Sequence, residues 1–181
     1  MGGALVKRGI FIGRFQPVHL GHVEAFKYIL GEMDELIIGI GSSQEENTFE
    51  NPLTASEREE MLKAALNEAG IDLSRVKIVG IPDVHDDERW VPHVESLVPK
   101  FSVVYSGNPW VQRLFKERGY EVRTQPLFRR RDYQGMTIRR RMAEGAKWES
   151  LVPESVVRIL KRIGAEERLK KLSRARVLTR S

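Results

Sequence analysis

Short apolar runs without polar alternation recur along this chain, and helical periodicity follows most of them. The runs are GIFIG (9–13), ELIIGIG (35–41), VKIVGI (76–81) and FSVVYSG (101–107). A strand with one wet face alternates apolar and polar residues. Strands that do not alternate are buried on both faces, which points to a parallel sheet covered by helices on both sides. Between the runs, VEAFKYILGEM places Val23, Phe26, Ile29 or Leu30, and Met33 on one helical face. LTASEREEMLKAALNEAG opens on Thr54 with Glu57 three residues on, a capping box, and closes on Gly70 as a C-cap. In NPWVQRLFKERG, Asn108 is the N-cap and Pro109 the first helical residue. YEVRTQPLF (120–128) is read as a fifth strand, with VKIVGI leading through PDVHDDERW as a strand exit. Beyond residue 136 the pattern is helical, in TIRRRMAEGAKWESL and PESVVRILKRIGAEERLKKLSRARV.

The expected fold is therefore α/β: a Rossmann-like doubly wound parallel sheet of five to six strands, with right-handed crossovers and a C-terminal helical extension. The 181 residues, 41% hydrophobic, suffice for one well-packed domain and fall short of two. That domain is expected over 1–181, with the α/β core at about 8–135 and the helices at about 136–175; the last ten residues are expected to be a disordered tail. No apolar stretch reaches the roughly 20 residues needed to cross a membrane. The N-terminal run lacks a cleavage pattern and is read as the first strand. Cysteine is absent, which removes disulfides and thiolate metal sites. Together these point to a cytoplasmic protein without a membrane partner.

Charge is unevenly spread. Residues 1–90 carry 9 Lys and Arg against 16 Asp and Glu, and residues 91–181 carry 21 against 9. A basic second half suits a polyanion: a nucleotide, a nucleic acid or an acidic membrane. For the tail alone, a solvated basic surface with a helical tail is the favoured reading.

Open parallel sheets bind ligands beyond the carboxyl ends of their strands, so the strand exits are where chemistry is sought. There is no Walker P-loop, and GIGSS lacks the full G-x-G-x-x-G of the usual dinucleotide fold. The first exit reads GRFQPVHLGH, with Arg14, His19 and His22 within nine residues. If a helix begins near Gly21 or His22, its first amides carry partial positive charge and receive an anion. His19 and His22 add donors, Gly21 leaves room for close approach, and Arg14 adds a fork suited to phosphate oxygens. The competing readings are a structural pair or a zinc site; two histidines with no obvious third ligand make a weak zinc site.

GRFQPVHLGH resembles the H-x-G-H signature of the nucleotidyltransferase superfamily. With DELIIGIGSSQ, NPLTASERE, RWVPH, YSGNPWVQRLF, GYEV and IRRRM, in order over about residues 9–160, the chain is similar to the archaeal nicotinamide-nucleotide (NMN) adenylyltransferases. The resemblance implies direct in-line transfer of AMP from ATP to the 5′-phosphate of nicotinamide mononucleotide, with NAD and pyrophosphate as products and no covalent enzyme intermediate. It implies that His19 and His22 hold the ATP phosphates and the transition state, that Arg14 steadies both phosphates, and that Arg139 grips the leaving pyrophosphate. Gly13, Gln16, Gly21, Gly107, Asn108 and Thr137 join the ATP site. Trp90 stacks on the nicotinamide ring and Asp83 accepts from its amide. Mg²⁺ bridges phosphate oxygens with few protein ligands, no metal being bound by protein residues alone. A homo-oligomer, a hexamer in the family, is expected.

Bland readings stand beside several of these roles. Arg139, Arg140 and Arg141 point about 100° apart on a helix, so one or two at most face one site; Arg139 is chosen as lying in the first turn. Thr137 is either an N-cap or a hydroxyl donor. Trp90 is either a core residue or a stacking face. Asn108 caps its helix, approaches adenosine, or does both. The chain departs from the family pattern where Gln134 and Met136 replace Ser and Thr, with Thr137 one residue away. Glu50 stands where some relatives have arginine and is assigned no phosphate role. Asp87 stands where some have asparagine, which leaves amide or acid mononucleotide open. The alternatives are an adenylyltransferase for phosphopantetheine or FMN and, from another class, a basic nucleic-acid-binding protein; the main reading has no nucleic-acid partner.

Overall fold

The computed structural model describes residues 5–126 and 133–178. Five parallel strands form one sheet: β1 (Arg8–Gly13), β2 (Glu35–Gly41), β3 (Val76–Ile81), β4 (Val103–Tyr105) and β5 (Glu121–Arg123). Their order is β3-β2-β1-β4-β5. Ile10 lies between Ile37 and Val104, and Phe11 between Ile38 and Tyr105. Successive side chains leave a strand on opposite faces, so this register builds two cores. Phe11, Ile38 and Tyr105 enter one; Ile10, Ile37 and Val104 enter the other.

In chain order the helices are α1 (Leu20–Glu32), α2 (Ala55–Glu68), α3 (Asp87–Leu97), α4 (Pro109–Glu117), α5 (Gly135–Glu144), α6 (Glu154–Arg162) and α7 (Ala165–Leu178). Helices α3 and α4 cover the second core through Trp90, Val94, Val111 and Phe115. The other five cover the first, through residues such as Phe26, Met61, Ile138, Val156 and Leu169. The fold is thus the expected α/β sheet with helices on both faces and a C-terminal helical extension. Among the described residues no helix is long and apolar enough to cross a membrane.

Three details differ from expectation. Strand β3 is not buried on both faces: residues 76–80 are half-buried or exposed, because β3 is an edge strand. Strand β5 ends at Arg123; Leu127 and Phe128 of the expected strand lie outside the described residues, as does the basic run 129–131. The tail is helical as far as Leu178. Its order has a cause. Leu169 and Ala165 are buried, and Arg168 forms a bidentate pair with Glu57 at 2.7 and 2.9 Å while donating to the Pro52 carbonyl.

Helix α3 was not expected. Asp86 caps it, accepting from the amides of Glu88 and Arg89. Pro92 sits inside it and cannot donate to the Glu88 carbonyl one turn back. Arg118 takes that carbonyl instead, at 3.1 Å.

Candidate active site

The order β3-β2-β1-β4-β5 reverses direction at β1, which leaves a crevice beyond the carboxyl ends of β1 and β4. A cavity of about 500 Å³ opens beside the exit of β1. Arg14, Gln16, His19 and His22 reach it from the β1–α1 segment. Gly135, Met136 and Arg139 reach it from α5, Phe49 and Glu50 from the β2–α2 loop, and Arg176 from α7. Residues more than a hundred positions apart thus share one basic wall.

The three-residue spacing of the histidines has a structural explanation. His19 is the N-cap of α1 and His22 its third residue. The His22 amide donates to His19 Nδ1 at 3.3 Å, and the His19 amide donates to His22 Nδ1 at 3.1 Å. This is a capping box built from two imidazoles, where Ser or Thr and Glu usually serve. The rings stack with centroids 3.6 Å apart. Since each Nδ1 accepts an amide, this hydrogen-bond network assigns the proton of each neutral ring to Nε2. Burial lowers the pKa of His19 to about 4 and holds that of His22 well below its usual value, with the neighbouring His19 charge as a second cause. At neutral pH the pair therefore consists of two uncharged N–H donors. The capping also corrects one expectation: the His22 amide is not open to an anion, whereas those of Leu20 and Gly21 have no partner among the described residues. Gly21 makes room for the protein itself, since a Cβ there would sit 3.1 Å from the His19 ring and 3.0 Å from Tyr133.

Arg139 is 6% exposed. One guanidinium nitrogen donates to the Gln16 carbonyl at 2.9 Å, and its Nε, also buried, has no partner. Among the described residues no carboxylate pairs with it. Burial first, then the charge of Arg14, lowers its pKa to about 10, so it stays protonated at neutral pH. A buried cation with an idle donor is costly without an anion. Arg140 is exposed and Arg141 turns toward the Lys147 carbonyl. Helix α5 begins at Gly135, which puts Arg139 in the second turn and not the first. Gln134 is its N-cap without a side-chain cap bond, so Thr137 is the third helical residue and not a cap. A Cβ on Gly135 would lie 3.1 Å from the Gln16 carbonyl oxygen, which is why α5 can approach the β1–α1 segment only with glycine there.

The Gln16 side chain has other work. Its amide pairs with both backbone groups of Leu53, at 2.9 and 3.0 Å, and clips the β1 exit to the start of α2. Sequence reasoning missed Arg58, which is fully buried. It donates to the carbonyls of Arg14, Gly41, Ser42, Ser43, Glu45 and Thr54. One guanidinium thus gathers the exits of β1 and β2. The chain carries no local signal for this, because an arginine in a helical run reads as surface. Phe15, beside Arg14, sits at φ 53, an uncommon setting for a bulky residue.

The remaining predicted residues lie apart from this cavity. Gly13 closes β1. Gly107 and Asn108 are exposed at the exit of β4, where Asn108 caps α4 by accepting from the Trp110 amide. Asp83, past β3, exchanges hydrogen bonds with Gln44 past β2. Trp90 is 6% exposed in the first turn of α3, with its ring 4.8 Å from Trp110 and 5.5 Å from Phe115. The expected open stacking face is therefore held by core neighbours, and Trp110, 39% exposed, is the indole that meets solvent. Trp110 is fixed by donating to Asp87, which also pairs with Arg113 at 2.7 Å. Among the described residues no three His, Cys, Asp or Glu side chains are grouped to hold a metal ion.

Residues 10–141 match the cytidylyltransferase-like family. A nicotinamide-nucleotide adenylyltransferase of Pyrococcus horikoshii is 51% identical over 166 residues, which cover 92% of this chain and 89% of that protein. One from Pyrobaculum aerophilum is 51% identical over 166 residues, covering 91% and 93%. Among solved structures, a bifunctional NMN adenylyltransferase/ADP ribose pyrophosphatase from Francisella tularensis superposes with a TM-score of 0.79 at 20% identity, over 97% of this chain and 55% of that one. The same enzyme in complex with AMP and a Mn ion gives 0.76 at 21% identity, over 93% and 52%. The chain spans about half the length of these bifunctional structures, and they share its fold.

Proposed function

The chain belongs to the cytidylyltransferase-like family, among its nicotinamide-nucleotide adenylyltransferases, and from that premise we infer that it joins the adenylyl group of ATP to nicotinamide mononucleotide, giving NAD and pyrophosphate. In the reaction a 5′-phosphate oxygen of the mononucleotide attacks the α-phosphorus of ATP. The bond from that phosphorus to the bridging oxygen breaks, and its electron pair leaves with pyrophosphate. We propose that the transfer is direct and in line. Nothing covalent is then asked of the protein, and its task is to position the two phosphates and stabilise charge.

The observation that carries this reading is Arg139: a buried guanidinium with an unpartnered Nε, facing the cavity that His19 and His22 also line. An incoming triphosphate supplies the anion that this cation lacks. In the proposal Arg14 and the two imidazole Nε2–H groups bind the phosphates around the reacting phosphorus, and Arg139 grips the pyrophosphate end. Neutral imidazoles suit this role, because they donate hydrogen bonds without repelling the arginines. Thr137 offers a hydroxyl from the first turn of α5. Gly107 and Asn108 approach adenosine at the β4 exit. In this proposal the nicotinamide ring stacks at the Trp90–Trp110 pair and its amide donates to Asp83. Among the described residues the cavity wall is basic, and its one acid, Glu50, is engaged with Arg176. This wall offers a divalent ion few ligands, so Mg²⁺ in this proposal would be bound mainly with the triphosphate and would supply charge neutralisation there. A cytoplasmic homo-hexamer completes the reading, to be checked by light scattering.

The test is pyrophosphate release from ATP with a panel of acceptors: nicotinamide mononucleotide, its acid form, FMN and phosphopantetheine. Turnover confined to a pyridine mononucleotide is expected. Turnover with FMN or phosphopantetheine alone overturns the acceptor. No turnover, together with salt-sensitive binding of a nucleic acid, favours the basic-surface alternative.

A further inference from the structure

Helix α7 delivers a third arginine to the cavity. Arg176 lines it together with Arg14 and Arg139, and comes from the opposite end of the chain. Its guanidinium lies 3.0 Å from the Glu50 carboxylate and 5.3 Å from the centre of the Phe49 ring, both on the β2–α2 loop. The helix that carries it is anchored two turns earlier by the Arg168–Glu57 pair and by buried Leu169. Arg176 is thus aimed by a docked helix at a loop on the cavity rim.

The Arg176–Glu50 pair itself is open to water, with side chains 40% and 47% exposed. Exposed pairs of this kind hold weakly, so a better anion displaces the carboxylate at little cost. The cavity is where a better anion arrives. Three guanidiniums around one space repel one another, and the charge of Arg176 is among those that lower the pKa of Arg139. A triphosphate relieves that repulsion; one carboxylate at the rim does so only in part.

We propose that Arg176 is a phosphate-binding residue for the outer phosphates of the nucleoside triphosphate, the ones that leave as pyrophosphate, and that Glu50 is the resident counter-ion it exchanges for them. The inner wall, with buried His19, suits the reacting phosphorus, and buried Arg139 beside it holds the near side of the leaving pyrophosphate. The exposed rim suits the far end of the triphosphate. The inference rests on the adenylyl-transfer reading above.

The experiment is steady-state NAD formation by the full chain, with the variants R176A, R176K and E50Q, and with pyrophosphate as product inhibitor. R176A is expected to raise KM for ATP about tenfold and to weaken pyrophosphate inhibition by a similar factor, the size of one charge-assisted contact. KM for nicotinamide mononucleotide should stay within about twofold, and R176K should recover part of the loss. E50Q removes one charged competitor for the arginine and is expected to lower KM for ATP about two- to threefold. A wild-type chain that makes NAD beside an R176A variant unchanged in KM for ATP and in pyrophosphate inhibition overturns this inference alone. So does an R176A variant in which both Michaelis constants rise together with loss of thermal stability, which marks a packing role. A wild-type chain that makes no NAD sinks the underlying reading instead.

Discussion

The two histidines show how one residue pair serves fold and chemistry together. Each amide is satisfied by the other's ring, so either truncation removes a cap as well as a donor. The cap alone is worth about 1 kcal/mol. A donor that meets developing charge is worth about 10²–10³-fold in turnover. His19→Ala and His22→Ala are therefore expected to lower kcat by at least 10²-fold while the folded state persists, as read by circular dichroism beside the kinetic assay. The same pair predicts a pH effect on stability. An unfolded histidine titrates near 6.5 and folded His19 near 4. Between those values the unfolded chain binds a proton that the folded chain refuses, so stability falls as pH drops from 6.5 toward 4 and is level above 7. For His19 the loss amounts to about 3 kcal/mol. Urea denaturation at pH 7.5, 6 and 5 should follow that slope, and His19→Asn should flatten it; an unchanged slope in the variant sinks the assignment. At this scale the sequence was partly legible. Arg14, His19 and His22 could be named from their place at a strand exit; Arg139 was named through the family resemblance, since the first-turn argument for it does not hold. Arg58 could not, because nothing in its neighbours distinguishes a buried arginine from a solvated one.

Elements were most legible where a cap and a period agreed, as in α2 with its Thr54–Glu57 box, and least where a breaker masked the period. Helix α3 is the clear case. Its Asp86 cap and acidic first turn are in the sequence, but a proline inside a helix is locally unfavourable, and the Arg118 bond that makes it tolerable comes from the C-cap of α4, beyond any local window. Arg58 ties elements in the same non-local way, holding the β1 and β2 exits to α2. Arg58→Met keeps the volume and removes six hydrogen bonds to carbonyls, of which those of Ser42 and Thr54 keep a backbone amide. We expect a loss of about 2–4 kcal/mol in chemical denaturation, since unmade buried hydrogen bonds cost more than made ones gain. Activity should fall further than stability alone explains, because Arg14 loses its backbone anchor. Gly135→Ala tests the α5 approach. The added Cβ must push α5 from the Gln16 carbonyl or shift Arg139, and KM for ATP should rise severalfold. A variant with wild-type KM shows that α5 has slack the close packing does not suggest.

Across the whole molecule the question is whether the C-terminal helices are an appendage or part of one folding unit. The first core answers through its membership: Phe11 of β1, Phe26 of α1, Met61 of α2, Val156 of α6 and Leu169 of α7 belong to one contiguous cluster. Trp148 is fully buried in that cluster, and its indole donates to Glu166 at 2.6 Å, so the link before α6 and the start of α7 hold each other. A boundary near residue 136 would cut through this cluster, so we propose that the chain unfolds as one unit. The three tryptophans make the point testable, because Trp148 reports the first core while Trp90 and Trp110 report the second across the sheet. A chain with Trp90→Phe and Trp110→Phe keeps only the first reporter; a chain with Trp148→Phe keeps only the second pair. Each variant is compared with its own far-ultraviolet circular dichroism, which cancels differences in overall stability. Coincident fluorescence and dichroism transitions in both chains are expected from a single cooperative unit. A Trp148 signal that melts at lower denaturant than the dichroism would separate the C-terminal helices from the sheet. It would also leave Arg176 without the rigid mount on which its place at the cavity depends.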